Sequence, residues 1–148
     1  AGSLSLLLGN KLSDPTLQRQ GLELMLASGA TFVARGYTKK MPQLEGLIGD
    51  AIRHRGFAFI DVLQICATFF PVADYYGERV YDLAEHDPGD LFAAFNRARE
   101  WDYSGDGKIA LGQFFKAELP TFDDRVVATP RTAAEREQAV LDILSGRT

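Results

Sequence analysis

Cysteine is almost missing from this chain: of 148 residues one is a cysteine, Cys66. An internal disulfide is therefore excluded, nothing points to an oxidising compartment, and a cytoplasmic location is expected. A basic surplus is also missing. Sixteen Lys and Arg stand against twenty Asp and Glu, a net charge of −4, which argues against duplex DNA or RNA as the main partner. No long apolar run occurs. The longest near the start, Leu4 to Leu8, has no basic leader and falls far short of a membrane span. Neither a GxGxxG turn nor a GxxxxGK[ST] loop is present, so nucleotide binding by those devices is not indicated. Both histidines lack a Ser or Cys in a nucleophile context, which leaves an acyl-transfer triad unsupported.

What is present fits one soluble domain with a core, since hydrophobic residues make up 46% and charged ones 24%. Asp14 and Pro15 read as a helix start and Gly29 as its terminator. "ATFVARGY", Ala30 to Tyr37, reads as a strand. Leu44, Leu47, Ile48, Ala51 and Ile52 then form one apolar helical stripe ending at Gly56. "FAFIDVLQI" is apolar on both faces, as in a strand of a parallel sheet covered on both sides. This order predicts βαβ winding, with strands near residues 31–37, 57–65 and 108–118.

The second half opens on a helical stretch, "YYGERVYDL", whose Tyr75, Tyr76 and Tyr81 are taken as packing. A helix capped by Asp87 with Pro88 at its first position follows, carrying Leu91, Phe92, Phe95 and Ala98 on one side. "LPTFDDRVVATPR" is the best linker, and Thr132 with Glu135 predicts a capping box for a last helix striped by Val140, Ile143 and Leu144. Residues 1–125 are expected to form one unit, with 126–148 a linker and C-terminal helix. His54 sits at a helix's carbonyl end, and His86 is read as a capping or solvent-exposed residue.

"DYSGDGKIALGQ", Asp102 to Gln113, matches much of a calcium loop: Asp102, Ser104 and Asp106 at positions 1, 3 and 5, Gly107 at 6 and Ile109 at 8. Gln113 at position 12 offers one neutral oxygen in place of a bidentate carboxylate, and Pro120 curtails the exiting helix. A Gly/Asp-rich turn feeding a strand is the preferred reading, and a weak cation site the other. "SGDG" also looks like the Gly-Asp-Gly of thiamine enzymes, but it lies after a helix and before a strand, the reverse of the order such a site needs.

Taken in order, "LSDPTLQRQGLELMLASGATFVARGY", "GFAFIDVLQICATFF", "ERVYDLAEHDPGD" and "KIALGQFFKAELPTFDD" resemble consecutive segments of the β subunit of 2-oxoacid:ferredoxin oxidoreductases, over roughly residues 8 to 125. "ATFVARG" and "DVLQIC" are the most specific pieces. The resemblance implies an α/β fold, the second half of a doubly wound thiamine-diphosphate-binding-type domain, with a mostly parallel sheet flanked by helices. It implies oxidative decarboxylation of a 2-oxoacid to an acyl-CoA, with electrons leaving through iron–sulfur chemistry to ferredoxin. Thiamine diphosphate, magnesium and a 4Fe–4S cluster belong to the intact enzyme. Their motifs in the family lie upstream of the part that this chain matches, so none is expected to be held by this chain alone, which is expected to be inactive by itself.

In the family the cysteine of "DVLQxC" is the fourth cluster ligand, and Cys66 stands there. The other reading of Cys66 is a buried, inert core thiol. The family commonly has Pro where Ile65 stands and Asn where Phe70 stands, and "WDYSGDGK" is longer than its usual connection. Implied partners are the upstream half of the β subunit, an α or γ subunit, and ferredoxin. The sheet edge left by a missing half also makes homo-oligomers an expectation. The rival function is a non-enzymatic binding or assembly module, with an optional weak calcium site at residues 102–113.

Overall fold

The computed structural model describes residues 15–65, 73–101, 107–126 and 132–146. Helix α1 (Pro15–Ala27) stops where the sequence predicts. Gly29 takes a left-handed backbone, its N–H donates to the Leu26 carbonyl, and Ala30 N–H reaches back to Met25. That pair of bonds is the Schellman arrangement, and it needs a residue free of a Cβ penalty at Gly29. Strand β1 (Phe32–Tyr37), helix α2 (Met41–Arg53) and strand β2 (Ala58–Leu63) follow, with β1 and β2 parallel and paired from Phe32↔Ala58 to Tyr37↔Leu63. This is the predicted βαβ unit. In α2 Leu44, Leu47 and Ala51 are buried, Ile48 is partly buried and Ile52 faces water.

Beyond β2 the sequence reading needs correcting. Residues 75–83 are not one helix. Helix α3 (Ala73–Arg79) gives way to a three-residue strand, β3 (Val80–Asp82). Helix α4 (Leu91–Arg99) begins later than its Asp-Pro signal suggests. Asp90 is the cap and accepts from Ala93 N–H at 3.0 Å, while the Asp87 carboxylate accepts from Gly89 N–H at 2.8 Å within the preceding turn. Two aspartates three residues apart offer the same local chemistry, and packing selects the second. The buried face of α4 is Ala94 and Ala98, with Phe95 packed at its border. Phe92 is 83% exposed. The tract expected to be a linker contains a short helix, α5 (Phe122–Val126).

Strand β4 (Ile109–Lys116) enters the sheet antiparallel to β1 and parallel to β3, giving the order β2-β1-β4-β3. Two of the three pairings are thus parallel. Alternation along β1 sets the two faces. Phe32 and Ala34 pack with Leu47, Ala51, Ala58 and Ile60 beneath α2. Val33 packs on the opposite face with Leu22, Leu26, Phe59, Ala94, Ala98 and Phe114, beneath α1 and α4. Helix α6 (Ala133–Leu144) carries the predicted capping box, formed by Thr132 and Glu135. None of its side chains is buried, so its Val140, Ile143 and Leu144 stripe faces water. None of the described helices is long and apolar enough to cross a membrane.

Candidate functional site at the carboxyl end of the parallel pair

In α/β sheets ligands gather at the carboxyl ends of parallel strands, because backbone groups there have no further ladder partner. In this chain that end is built by Tyr37 and Leu63. Thr38 N–H donates to the Leu63 carbonyl at 3.0 Å and ties the two strand ends together. Leu63 and Tyr37 lie in an apolar cluster with Tyr76, Trp101, Ile109 and Leu111, and Ile65 packs against it. The chain is thus anchored up to Ile65. Cys66, the next residue, lies outside the described residues, as do Asp102, Ser104 and Asp106. Gln113 is described and is a partly buried residue of β4, paired with Ala34. Gly107, the sixth position of the calcium-loop match, has a reason of its own: a Cβ there would fall on the carbonyl oxygen of Glu100. Among the described residues no group of three His, Cys, Asp or Glu could hold a metal ion.

The aromatic residues expected to pack do so. Tyr76 meets Tyr37 edge-on at 5.8 Å between ring centroids and Trp101 at 6.1 Å. Trp101 Nε1–H donates to the Tyr75 hydroxyl at 3.2 Å, and the Arg79 guanidinium lies 4.2 Å above the Tyr75 ring. Tyr81 donates its hydroxyl proton to Glu100, and burial followed by that bond pushes its pKa up to about 12.

Sequence reasoning missed Arg35. It sits in the middle of β1 with its side chain wholly buried, and Nε donates to Asp61 Oδ2 on β2 at 2.8 Å. The guanidinium carbon stands 4.9 Å from the Trp101 ring centroid and 5.6 Å from that of Phe114. Among the described residues neither terminal nitrogen has an acceptor, and the buried Tyr37 hydroxyl two residues on has no hydrogen-bond partner. Buried donors left unpaired cost about 1–3 kcal/mol each. The signal in the sequence was a charged residue inside an apolar strand, with a carboxylate at the matching position of the next strand. Tyr37 itself is held above the ordinary phenol range by burial and then by Asp74.

A second polar group occupies the opposite end of the sheet. A cleft of about 490 Å³ is lined by Asp50, Arg53, His54, Arg55, Lys116 and Asp124, among others. Arg53 pairs with Asp50 at 2.6 Å and Arg55 with Asp124 at 3.0 Å. His54 is the C-cap of α2. The Thr31 hydroxyl donates to the Phe57 carbonyl at 3.4 Å, which leaves Thr31 Oγ1 to accept from His54 Nε2–H at 2.8 Å. Burial holds the His54 ring below the ordinary imidazole range; Lys116 adds to this and Glu118 opposes it. The unfolded chain therefore binds the proton more readily than the folded one. The contribution to stability is present above the ordinary value of 6.5 and is lost as pH falls below it. The melting temperature is expected to drop between pH 7.5 and 5.5 (about one unit either side of that value), and His54→Gln to flatten this part of the profile. His86, read from the sequence as a capping or solvent-exposed residue, is half-buried. Its Nε2–H donates to the Phe114 carbonyl at 2.6 Å, pinning the turn before α4 to β4.

Comparison with known proteins gives the site its context. A family model that describes the C-terminal region of the pyruvate ferredoxin oxidoreductase β subunit matches residues 66–130, beginning at Cys66. The 2-oxoacid:ferredoxin oxidoreductase β subunit of Saccharolobus solfataricus is 35% identical over 136 residues, 82% of this chain and 41% of the relative. That of a Sulfolobus species is 36% identical over 122 residues, 72% of this chain and 39% of the relative. Over most of its length the chain is thus similar to β subunits of 2-oxoacid:ferredoxin oxidoreductases. A solved 2-oxoglutarate:ferredoxin oxidoreductase from Magnetococcus marinus, with 2-oxoglutarate, coenzyme A and succinyl-CoA bound, superposes with a TM-score of 0.66 at 29% identity, over 81% of this chain and 43% of that one. The chain spans about two fifths of the length of the β-subunit relatives it matches. The α/β architecture expected from the resemblance is that of this family.

Proposed function

We propose that this chain is the C-terminal part of the β subunit of an enzyme that oxidatively decarboxylates a 2-oxoacid to an acyl-CoA and passes the electrons on to ferredoxin. In this reading Cys66 supplies one thiolate to a 4Fe–4S cluster whose remaining ligands come from preceding polypeptide. The observation that carries it is the anchored end of β2: Thr38 ties Leu63 to β1, and Ile65 packs into the aromatic cluster one residue before the thiol. A strand end fixed in this way limits where the next side chain can go, as a cluster ligand requires. The thiol cannot hold a cluster by itself, since four thiolates are normally needed and the sequence has one. Thiamine diphosphate with magnesium would supply the bond-breaking chemistry in the intact enzyme, and this chain's part would be to orient a ligand for the electron exit.

Residues 1–125 form the subunit portion in this reading, and 126–148 a linker and terminal helix. An α or γ subunit would complete the enzyme, which would work in the cytoplasm, where thiols stay reduced. The test is purification, through a tag on Thr148, of the assembly that contains this chain. The expected product is brown, absorbs near roughly 400 nm and contains iron. Cys66→Ala is expected to abolish the colour and most of the iron while the polypeptides still co-purify. Unchanged iron in Cys66→Ala would remove Cys66 from the ligand set.

A further inference from the structure

Arg35 is the one charged side chain that is fully buried among the described residues. In every other described ion pair the cation keeps part of its surface in water. A pair that merely tied β1 to β2 could sit at the rim in the same way, where desolvation is small. Apolar residues of similar volume would also fill the interior position as well or better. Burial of this guanidinium is a cost that its contacts do not offset. Asp61 Oδ2 accepts from Nε–H, while Nη1 and Nη2 have no acceptor among the described residues.

Its position says what that cost serves. In the parallel register Arg35 is paired with Asp61 and Tyr37 with Leu63, so the buried charge lies two residues before the strands end. The guanidinium is 4.9 Å from the Trp101 ring centroid. Trp101 belongs, with Tyr37 and Leu63, to the apolar cluster on which Ile65 packs. The orphaned donors of Arg35 and the unpaired Tyr37 hydroxyl therefore adjoin the anchor from which the chain runs on to Cys66. They are what an anionic group nearby would use. Counting along the strand at about 3.3 Å per residue puts that anchor on the order of 12 Å from Arg35. A unit charge at that range, through an effective dielectric constant of about 20, changes a one-electron equilibrium by about tenfold.

We propose that Arg35 tunes the reduction potential of the cluster to which Cys66 contributes a thiolate, its buried positive charge favouring the reduced form. This rests on the reading of Cys66 as a cluster ligand. A cluster held by thiolates is anionic and gains a further negative charge on accepting an electron, so a fixed cation nearby raises its potential. Burial keeps that cation from being screened by water and salt. Asp61 opposes the effect only in part, because 27% of its side chain is in water, where its charge is screened more than that of Arg35. Arg35 acts through its field across the aromatic cluster and needs no contact with the metal.

The test is a redox titration, followed by electron paramagnetic resonance, of the assembly purified through a tag on Thr148. The signal that disappears in Cys66→Ala identifies the cluster concerned. Arg35→Met is expected to lower its potential by about 59 mV, the one-electron equivalent of a tenfold change. Asp61→Asn, whose amide oxygen still accepts from Nε–H, is expected to raise it by the equivalent of about threefold. Both variants remove a charge from the same buried contact, and both should lower the melting temperature. A purely structural role would therefore move the two potentials in one direction or leave them alone, and either result overturns the proposal. If Arg35→Met does not assemble, Asp61→Asn decides: a potential at or below the parent's overturns it, and a raised one supports it. The cluster reading fails separately. Iron and signal unchanged in Cys66→Ala would remove the ligand and the role of Arg35 with it. A signal lost in Cys66→Ala but unmoved by the other two variants would keep the ligand and end the tuning.

Discussion

Asp61→Ala is expected to destabilise the folded chain by about 3 kcal/mol, because it strips the counter-charge from a buried guanidinium. Arg35 has no exposed surface, and among the described residues Asp61 is its one acceptor, with Nη1 and Nη2 unpaired there. Removing one partner of a buried ion pair costs roughly 3–5 kcal/mol, and the lower end applies because Asp61 keeps 27% of its side-chain surface in water, where screening weakens the pair. The decisive control is the double variant Arg35→Met, Asp61→Ala. Methionine fills a similar space between Trp101 and Phe114 without a charge to desolvate, so most of the lost stability should return. Urea unfolding followed by the fluorescence of Trp101, the only tryptophan, measures both. A loss below about 1 kcal/mol in Asp61→Ala would show that water or other groups already neutralise Arg35. If the double variant is more stable than the parent, the pair costs stability in this fold.

Trp101→Ala should cost about 3–5 kcal/mol, the range for emptying an aromatic site in a core. For a chain of this size that corresponds to a melting temperature lower by roughly 10 °C. Trp101 is 1% exposed and ties α3 to β1: it meets the ring of Tyr76 and the hydroxyl of Tyr75 on α3 and the guanidinium of Arg35 on β1. Trp101→Phe keeps much of the volume and gives up the Nε1–H bond, so a loss of about 1–2 kcal/mol is expected. Circular dichroism melts of the two variants separate packing from hydrogen bonding. Equal losses would mean that the Tyr75 bond, and not the volume, holds the aromatic cluster together. Because Ile65 packs on this cluster, loosening it should also loosen the anchor of the Cys66 segment.

The first half of the fold was legible because its signals are local. A Gly at the left-handed position ended α1, an apolar stripe at helical spacing marked α2, and β-branched runs marked β1 and β2. The resemblance was legible for the same reason, since "ATFVARG" and "DVLQIC" are continuous pieces of chain. Local signals misled where two of them competed: Asp87-Pro88 advertised a cap that Asp90 provides, and "YYGERVYDL" read as helix although its last part pairs with β4. Phe92 belongs to an apolar pattern yet faces water, because Ala94 and Ala98 allow α4 to lie close on the sheet and turn Phe92 outward.

The amino-acid order alone settled the order of helices and strands through β2, the family resemblance, and the place of Cys66 just past a strand, which the sequence ended at 65 and the structure ends at Leu63. These depend on neighbours within a few residues, whose side-chain periodicity and backbone preferences act wherever the chain goes. Tertiary structure alone decided that β4 runs against β1, that Arg35 is buried against a carboxylate 26 residues away, and that β2 is left at the border of the sheet. Each of these depends on which apolar faces are covered together, a free energy summed over residues far apart in sequence, so no short stretch of the chain contains it.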